Sequence, residues 1–498
     1  MSTAINETMI RDVVEEVLGR LGGGAPARPV STSPASAQPA PLAPAPAPTP
    51  RRGGRRFGVF TDADEACAAA HEAYLQLSER GVAGRNQVVR IVKDLCDARA
   101  EEWGRLELDE TRIGRLDHKI EKLKGQRGIP GVEFLQPYAL SGDHGITLEE
   151  YAPFGVIGAV TPSTHSIPTM ACNIISMAAA GNAAVFNAHP GAYRCAVQAA
   201  RVFNEAIHRE LGIENLACIL EPPTLESFAA LSKNEHVKVL CVTGGPGVVK
   251  AAMQSGKRAI CAGPGNPPVL VDGTSCLDNA ARCVVLGGAY DNNLLCIGEK
   301  EVYVLEPFID RFMAALEKHG SVRLTDPQVE RLRQAAFVFP PGQGAGCPHA
   351  VVNRELVGRD PAVLGQAAGI NVPAGTQLLF AETGADDLFV EEEQMMPFLP
   401  IVRVKSVEEG IALAKKAEQG YKHSAMIHSH DVAHMTAMAK ALETTLFIKN
   451  GACVAGLGNG GEGYSNFSIA TTTGEGICNP RTFTRVRRCV MVDKLRIF

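Results

Sequence analysis

The 498-residue sequence predicts an α/β protein built on parallel, doubly wound sheets, and three observations carry that expectation. Short β-branched runs alternate with helical stretches. Gly- or Pro-rich turns join each run to the helix that follows. The alternation also comes in two series, one before about residue 268 and one after it. Two α/β domains meeting at a cleft are therefore expected, and the length also exceeds one ordinary domain.

Taken in order, residues 1–22 come first. Ile5, Met9, Val13, Val17 and Leu21 recur every four residues, and Ile10, Val14 and Leu18 widen the stripe. Glu7, Arg11, Asp12, Glu15, Glu16 and Arg20 fill the opposite face, and Gly22, Gly23 and Gly24 end the pattern, so an amphipathic helix is expected. Residues 23–55 are Pro, Ala, Ser and Gly around PAPLAPAPAPTP, a linker too poor in apolar residues to bury a core. A helix so tethered is either an extra terminal helix or a docking peptide for another protein's groove. Its four acidic residues argue against a mitochondrial presequence. From Arg56 onward, DEACAAAHEAYLQLS reads as helix, and YAPFGVIGAVTP, AAVFNAHP, VKVLCVTGG, PPVLVD and EVYVLE read as strands.

Composition narrows the function classes. A net charge of −5 and a pI near 6.3 argue against a nucleic-acid-binding face. No apolar run reaches the ~18 residues of a membrane span. The 14 cysteines are scattered, with no Cys-x-x-Cys pair and no zinc-like spacing, so no metal site is expected. Reduced thiols in a cytosol-like compartment are the default, most of them small buried hydrophobes.

Four places carry candidate chemistry. Thr161 and Pro162 close a strand ahead of Ser163, Thr164, His165 and a helical segment through Asn173 and Met177. Thr243-Gly244-Gly245-Pro246-Gly247 ends another strand, with a helix expected from Val248; such a turn suits a phosphate, although many are only turns. Cys296 stands in DNNLLCIGEKEVYV directly before a β run, where its sulfur can face a cleft or simply fill a core. Glu393 lies in EEEQMMPFLPIVRV, where a carboxylate can hold a ribose hydroxyl or cap a solvated turn.

Together these segments are more specific than any one alone. PFGVIGAVTPSTH, MAAAGNAAVFNAHPGA, VTGGPGVVKAA, CAGPGNPP, DNNLLCIGEKEV, EEEQMMPFLPIV and GGEGYSNFSIATTTGEG resemble the aldehyde dehydrogenase superfamily from about residue 56 to 498. Within it they look most like the CoA-acylating propionaldehyde dehydrogenase branch. The resemblance implies a cofactor domain over 56–267, interrupted by an oligomerisation hairpin at 131–149. A catalytic domain over 268–457 follows, and 458–498 return to the cofactor domain and the oligomerisation flap. It implies Cys296 as nucleophile, with Thr164, His165 or Asn173 and the Cys296 N–H as oxyanion donors. The same resemblance assigns NAD and CoA binding to Thr161, Pro162, Ser163, Asn187, His189, Pro190, Gly191, Thr243, Gly244, Gly245, Gly247, Val248, Gly263, Glu393 and Met395. It assigns the substrate pocket to Ile297, Phe467, Ile469, Thr471 and Thr472. Acylating relatives usually carry Asn where this chain has His165.

One departure is informative. Hydrolytic relatives have a water-activating glutamate about 34 residues before the nucleophile, and here that place is Ala262, 34 residues before Cys296. Without the base, a thioacyl enzyme survives until a thiol such as CoA arrives. The segment Asn187-Ala188-His189-Pro190 likewise replaces the Lys-Pro-Ser-Glu-like segment of hydrolytic relatives. The expected reaction is oxidation of a short aldehyde, propionaldehyde before acetaldehyde, to its acyl-CoA with reduction of NAD. The terminal helix resembles encapsulation peptides of bacterial microcompartments. Shell proteins or companion enzymes are then partners, the lumen of a compartment in the bacterial cytoplasm is the location, and the enzyme is a dimer or tetramer. A hydrolytic dehydrogenase and a non-catalytic assembly protein are the alternatives.

Overall fold

The computed structural model describes residues 56–339 and 350–494. The helix expected over 1–22 and the linker expected over 23–55 lie outside the described residues. Among the described residues no helix is long and apolar enough to cross a membrane.

The first sheet has six parallel strands. Their spatial order is Val59–Phe60, Ala217–Leu220, Ala183–Ala188, Val156–Thr161, Val237–Thr243 and Arg258–Ala262. The strands Val156–Thr161 and Ala183–Ala188 are buried throughout, as a parallel sheet covered on both faces requires. Helical residues Ala63–Ala98 cover it, capped at the start by Asp62 and broken at Gly81 (φ 60), with Leu77, Val88 and Val92 fully buried. Helices Ser166–Ala179 and Tyr193–Leu211 pack beside it.

The second sheet has seven parallel strands in the order Ser321–Arg323, Leu378–Thr383, Phe398–Val404, Glu301–Leu305, Pro268–Val271, Ser424–His428 and Leu446–Lys449. A third, antiparallel sheet joins Tyr138–Gly142, Gly145–Pro153 and Thr484–Val492. Its last strand is exposed over most of its length.

Two sequence expectations change. YAPFGVIGAVTP is not one strand: Gly145–Pro153 ends in the antiparallel sheet, and Val156–Thr161 begins in the first parallel sheet. Gly155 turns the chain between them at φ 120, a conformation open to glycine. Asn182 Oδ1 secures that turn by accepting from Phe154 N and Gly155 N at 2.7 and 3.0 Å. The helix expected from Val248 starts at Pro246, because a proline at the first helical position supplies a suitable φ and lacks an N–H that needs a partner.

Candidate active site

Three consecutive residues before the candidate nucleophile, Asp291, Asn292 and Asn293, hold φ of 49, 55 and 65°. Asn and Asp tolerate this left-handed region better than other side chains, yet three in a row persist only if the surroundings over-determine them. They do so here. Asn292 Nδ2 donates to Gly358 O and Asp360 Oδ1 at 3.0 and 2.8 Å, and Asn293 Nδ2 to Gly288 O and Glu299 O at 2.9 and 2.8 Å. The Asp291 carboxylate accepts from Arg115 N at 2.7 Å and from the Lys122 ammonium, while Asp291 N donates to His118 Nδ1 at 2.8 Å. Burial works to raise the Asp291 carboxyl, but the Lys122 and Lys119 charges outweigh it and hold it below the usual range.

Beyond this turn Cys296 is half-buried. Burial and the Glu393 carboxylate push its thiol up to about 12, against the pull of Lys300. Lys300 is fully buried, and its ammonium donates to Asn293 O, Asn293 Oδ1 and Leu295 O at 3.0, 2.6 and 3.0 Å. Burial raises Glu393 to about 7, with Lys300 and a bond from the Gly265 backbone opposing. The 262–268 connection between the two parallel sheets runs against the nucleophile. A Cβ on Gly265 would stand 2.7 Å from both Cys296 O and His423 Cγ, and one on Gly263 2.7 Å from Thr472 Oγ1. Glycine is what permits both approaches. Ala262, paired with Thr243 across the strand ends, puts no carboxyl there.

His423 is fully buried. Its Nδ1 lies 3.1 Å from Ser424 Oγ, its Nε2 has no partner, and burial followed by the Lys300 charge lowers it to about 3, so the ring is neutral at pH 7.

The carboxyl ends of the first sheet are where open α/β sheets bind ligands. Thr164 Oγ1 lies 2.8 Å from His165 Nδ1, and the His165 ring sits against Phe467 at 5.7 Å. Burial keeps His165 well below its ordinary value, with the Lys122 charge adding to the effect. Ser468 Oγ donates to Asn173 Oδ1 at 3.0 Å and lies 3.1 Å from Thr243 Oγ1. Asn173 Nδ2, Thr161 Oγ1, Thr169 Oγ1 and Thr471 Oγ1 are buried without a protein partner. Buried polar atoms of this kind are ordinarily satisfied, so each is a candidate contact for ligand or water.

The glycine turn suits a dinucleotide. Gly245, Pro246 and Gly247 are exposed, and a Cβ at Gly245 or Gly247 would meet nothing within 4 Å. The N-terminus of helix Pro246–Met253 opens onto that space, favouring phosphate charge.

The structure thus brings Cys296, Glu393 and Gly265 together, Thr164, His165 and Phe467 together, and Asn173, Thr243 and Ser468 together. Ile297 and Ile469 belong to the apolar cluster of the second sheet and Phe467 to that of the first, so the expected pocket residues straddle the two cores. Asn187 is occupied elsewhere: it donates to Thr224 O at 3.3 Å and accepts from Ser227 Oγ at 2.7 Å, fixing the start of helix Leu225–Lys233. His189 accepts from Gly191 N at 3.0 Å on the surface with exposed Pro190. Met395 takes φ 49 two residues beyond Glu393. Sequence reasoning missed His423, Lys300, Asp291 and Lys122. The one available signal was Glu299-Lys300-Glu301, a charged triplet opening an otherwise apolar strand.

Comparison with known proteins agrees with this geometry. Residues 58–479 match the aldehyde dehydrogenase family. Acetaldehyde dehydrogenase (acetylating) EutE of Salmonella typhimurium is 44% identical over 442 residues, 88% of this chain and 93% of that protein. A propionaldehyde dehydrogenase from the fucose utilisation bacterial microcompartment of Clostridium phytofermentans superposes with a TM-score of 0.85 at 40% identity, covering 89% of this chain and all of the other. Propionaldehyde dehydrogenase of Rhodopseudomonas palustris, solved with CoA bound and a cysteine acylated, also reaches 0.85 at 40% identity, with the same coverage. The chain belongs to the aldehyde dehydrogenase family.

Proposed function

We propose that the chain is a CoA-acylating aldehyde dehydrogenase that converts a short aldehyde, with propionaldehyde the first choice, to its acyl-CoA. The observation that carries this reading is the wall beside Cys296: Ala262 and two glycines stand where a water-activating carboxylate would be needed. Relatives that share this chain's sequence at about 40% act on acetaldehyde or propionaldehyde, and one was solved with bound CoA and an acylated cysteine.

Cys296 sulfur, as thiolate, bonds to the aldehyde carbon, and the carbonyl oxygen takes the electron pair. The Cys296 N–H stabilises that oxygen together with a side-chain donor. Asn173 Nδ2 is one such donor, and His165 Nε2 is another when Thr164 donates to Nδ1. The Gly244–Gly247 turn, Thr161, Pro162, Ser163 and Glu393 would hold a nicotinamide dinucleotide, which when bound would accept the hydride that leaves the former aldehyde carbon as the Cys296 thioester forms. His423 is assigned as the neutral base, since its ring and Cys296 O both close on Gly265: with Nδ1–H donating to Ser424, Nε2 can take a proton from Cys296 or from the incoming CoA thiol. The CoA sulfur then bonds to the acyl carbon, the bond to Cys296 breaks, and the thiolate is regenerated. NAD is preferred to NADP because Glu393 would repel a 2′-phosphate at the ribose.

Residues 1–22, whose sequence pattern is amphipathic, address the enzyme to a bacterial microcompartment through shell proteins or companion enzymes. The exposed antiparallel sheet, with Tyr138, Leu140, Val486 and Val490 on its surface, is the contact between copies. The deciding experiment measures NADH formation from propionaldehyde with and without CoA, on wild type and Cys296→Ala. CoA-dependent turnover to propionyl-CoA, lost in the variant, supports the reading; equal turnover to propionate without CoA refutes it. Unchanged shell co-purification after deletion of residues 1–22 refutes the addressing role.

A further inference from the structure

A buried lysine is costly to hold, and one that uses all three of its N–H donors on a single backbone turn needs an explanation. Lys300 does this. Its ammonium bonds to Asn293 O, Asn293 Oδ1 and Leu295 O, and so braces the segment between the left-handed run at 291–293 and Cys296. Gly298 N closes the same turn onto Leu295 O at 3.0 Å, and Lys300 N is itself anchored to Pro267 O at 3.0 Å, at the end of the loop that carries Gly265. The brace is therefore tied both to the turn that precedes the nucleophile and to the loop that runs against it.

We propose that Lys300 is the positioning residue for Cys296: its ammonium fixes the turn so that the sulfur meets the carbonyl carbon of the substrate while the backbone N–H meets its oxygen. It also supplies the buried positive charge that favours thiolate there. The titratable groups facing this pair are Glu393, Glu299, Glu301, Cys453 and His423. Burial pushes each of the three carboxyls upward, so one ammonium sits among groups that need it to ionise. Both oxygens of Glu301 are buried without a partner, so that carboxyl does not compete for the Lys300 donors. The inference rests on Cys296 being the nucleophile but not on CoA being the acyl acceptor.

The test is alkylation of Cys296 by iodoacetamide in the ligand-free enzyme, located by peptide mass, between pH 7 and 10. Lys300→Met is compared with wild type, with thermal midpoint and NADH affinity measured alongside. Positioning with charge support predicts alkylation at least tenfold slower across the range, with NADH affinity unchanged. A merely structural role predicts the opposite sign, because a loosened turn exposes the thiol and speeds alkylation; that result, or an unchanged rate, overturns the proposal. If Lys300→Met is insoluble, Lys300→Arg decides. Its planar fork keeps the charge but cannot present three donors from one atom, so kcat is expected to fall at least tenfold at unchanged NADH affinity. Wild-type kcat in that variant overturns the proposal.

Discussion

Replacing Lys122 with methionine tests whether the nucleophile turn is held by charge. Both partners of the Lys122–Asp291 pair are buried, with side chains 1% and 0% exposed. Removing one partner of such a pair leaves an uncompensated charge and costs about 3–5 kcal/mol. At roughly 2 cal/mol/K per residue over a chain of this size, that is a fall in thermal midpoint of about 3–5 °C. The pH dependence supplies the sharper check. In wild type the Asp291 carboxyl is held below its usual value, so its contribution is present above the unfolded pKa of about 3.9 and lost as pH falls through the folded value. In Lys122→Met, burial, the largest influence on that carboxyl, is opposed only by the Lys119 charge and the Arg115 backbone bond, and it raises the carboxyl above its unfolded value. The variant then takes up a proton on folding, and its deficit is largest near pH 8 and shrinks toward pH 5, by up to about 1.4 kcal/mol per pH unit. Lys122→Met/Asp291→Asn removes both charges while keeping a side chain that tolerates the left-handed turn and can accept from Arg115 N, so most of the loss is recovered. Differential scanning fluorimetry at pH 5, 6.5 and 8 measures all three proteins. A Lys122→Met midpoint within 1 °C of wild type at pH 8, or a deficit that grows on acidification, refutes the reasoning.

Further outcomes follow from the same geometry. Ala262→Glu puts a carboxyl at the strand end beside the Gly263–Gly265 loop, and CoA-independent NADH formation should rise at least tenfold from its basal rate, with free acid as product. His423→Gln keeps polarity but removes the neutral base, and kcat should fall about 10²–10⁴-fold with thermal midpoint little changed, read by steady-state kinetics. Asn173→Ala should lower kcat about 10²-fold if its unpartnered Nδ2 is the oxyanion donor, and a kcat within twofold of wild type would transfer that role to His165. With the ligand-free thiol raised to about 12, wild-type alkylation should climb about tenfold per pH unit from 7 to 10, and a plateau below pH 9 would contradict the burial argument.

Much of this protein is legible in its sequence because the relevant signals are local. Strand periodicity, glycine turns and helix starts involve neighbours in the chain, so the α/β class, the strand ends at Thr161 and Thr243, and the stretch around Cys296 can be read without a fold. The substitution at Ala262 is also a sequence fact, although its consequence depends on Gly265 bringing that loop to Cys296. What only the tertiary structure decided is the partnership of distant residues. Lys122 meets Asp291 across 169 positions, His423 reaches Cys296 through a loop that touches both, and Asn187 turns out to fasten a helix. The same lysine or histidine in one-letter code is a solvated charge or a buried clamp depending on which donors and acceptors surround it. Desolvation, unlike periodicity, is set by contacts between segments that the linear order does not bring together.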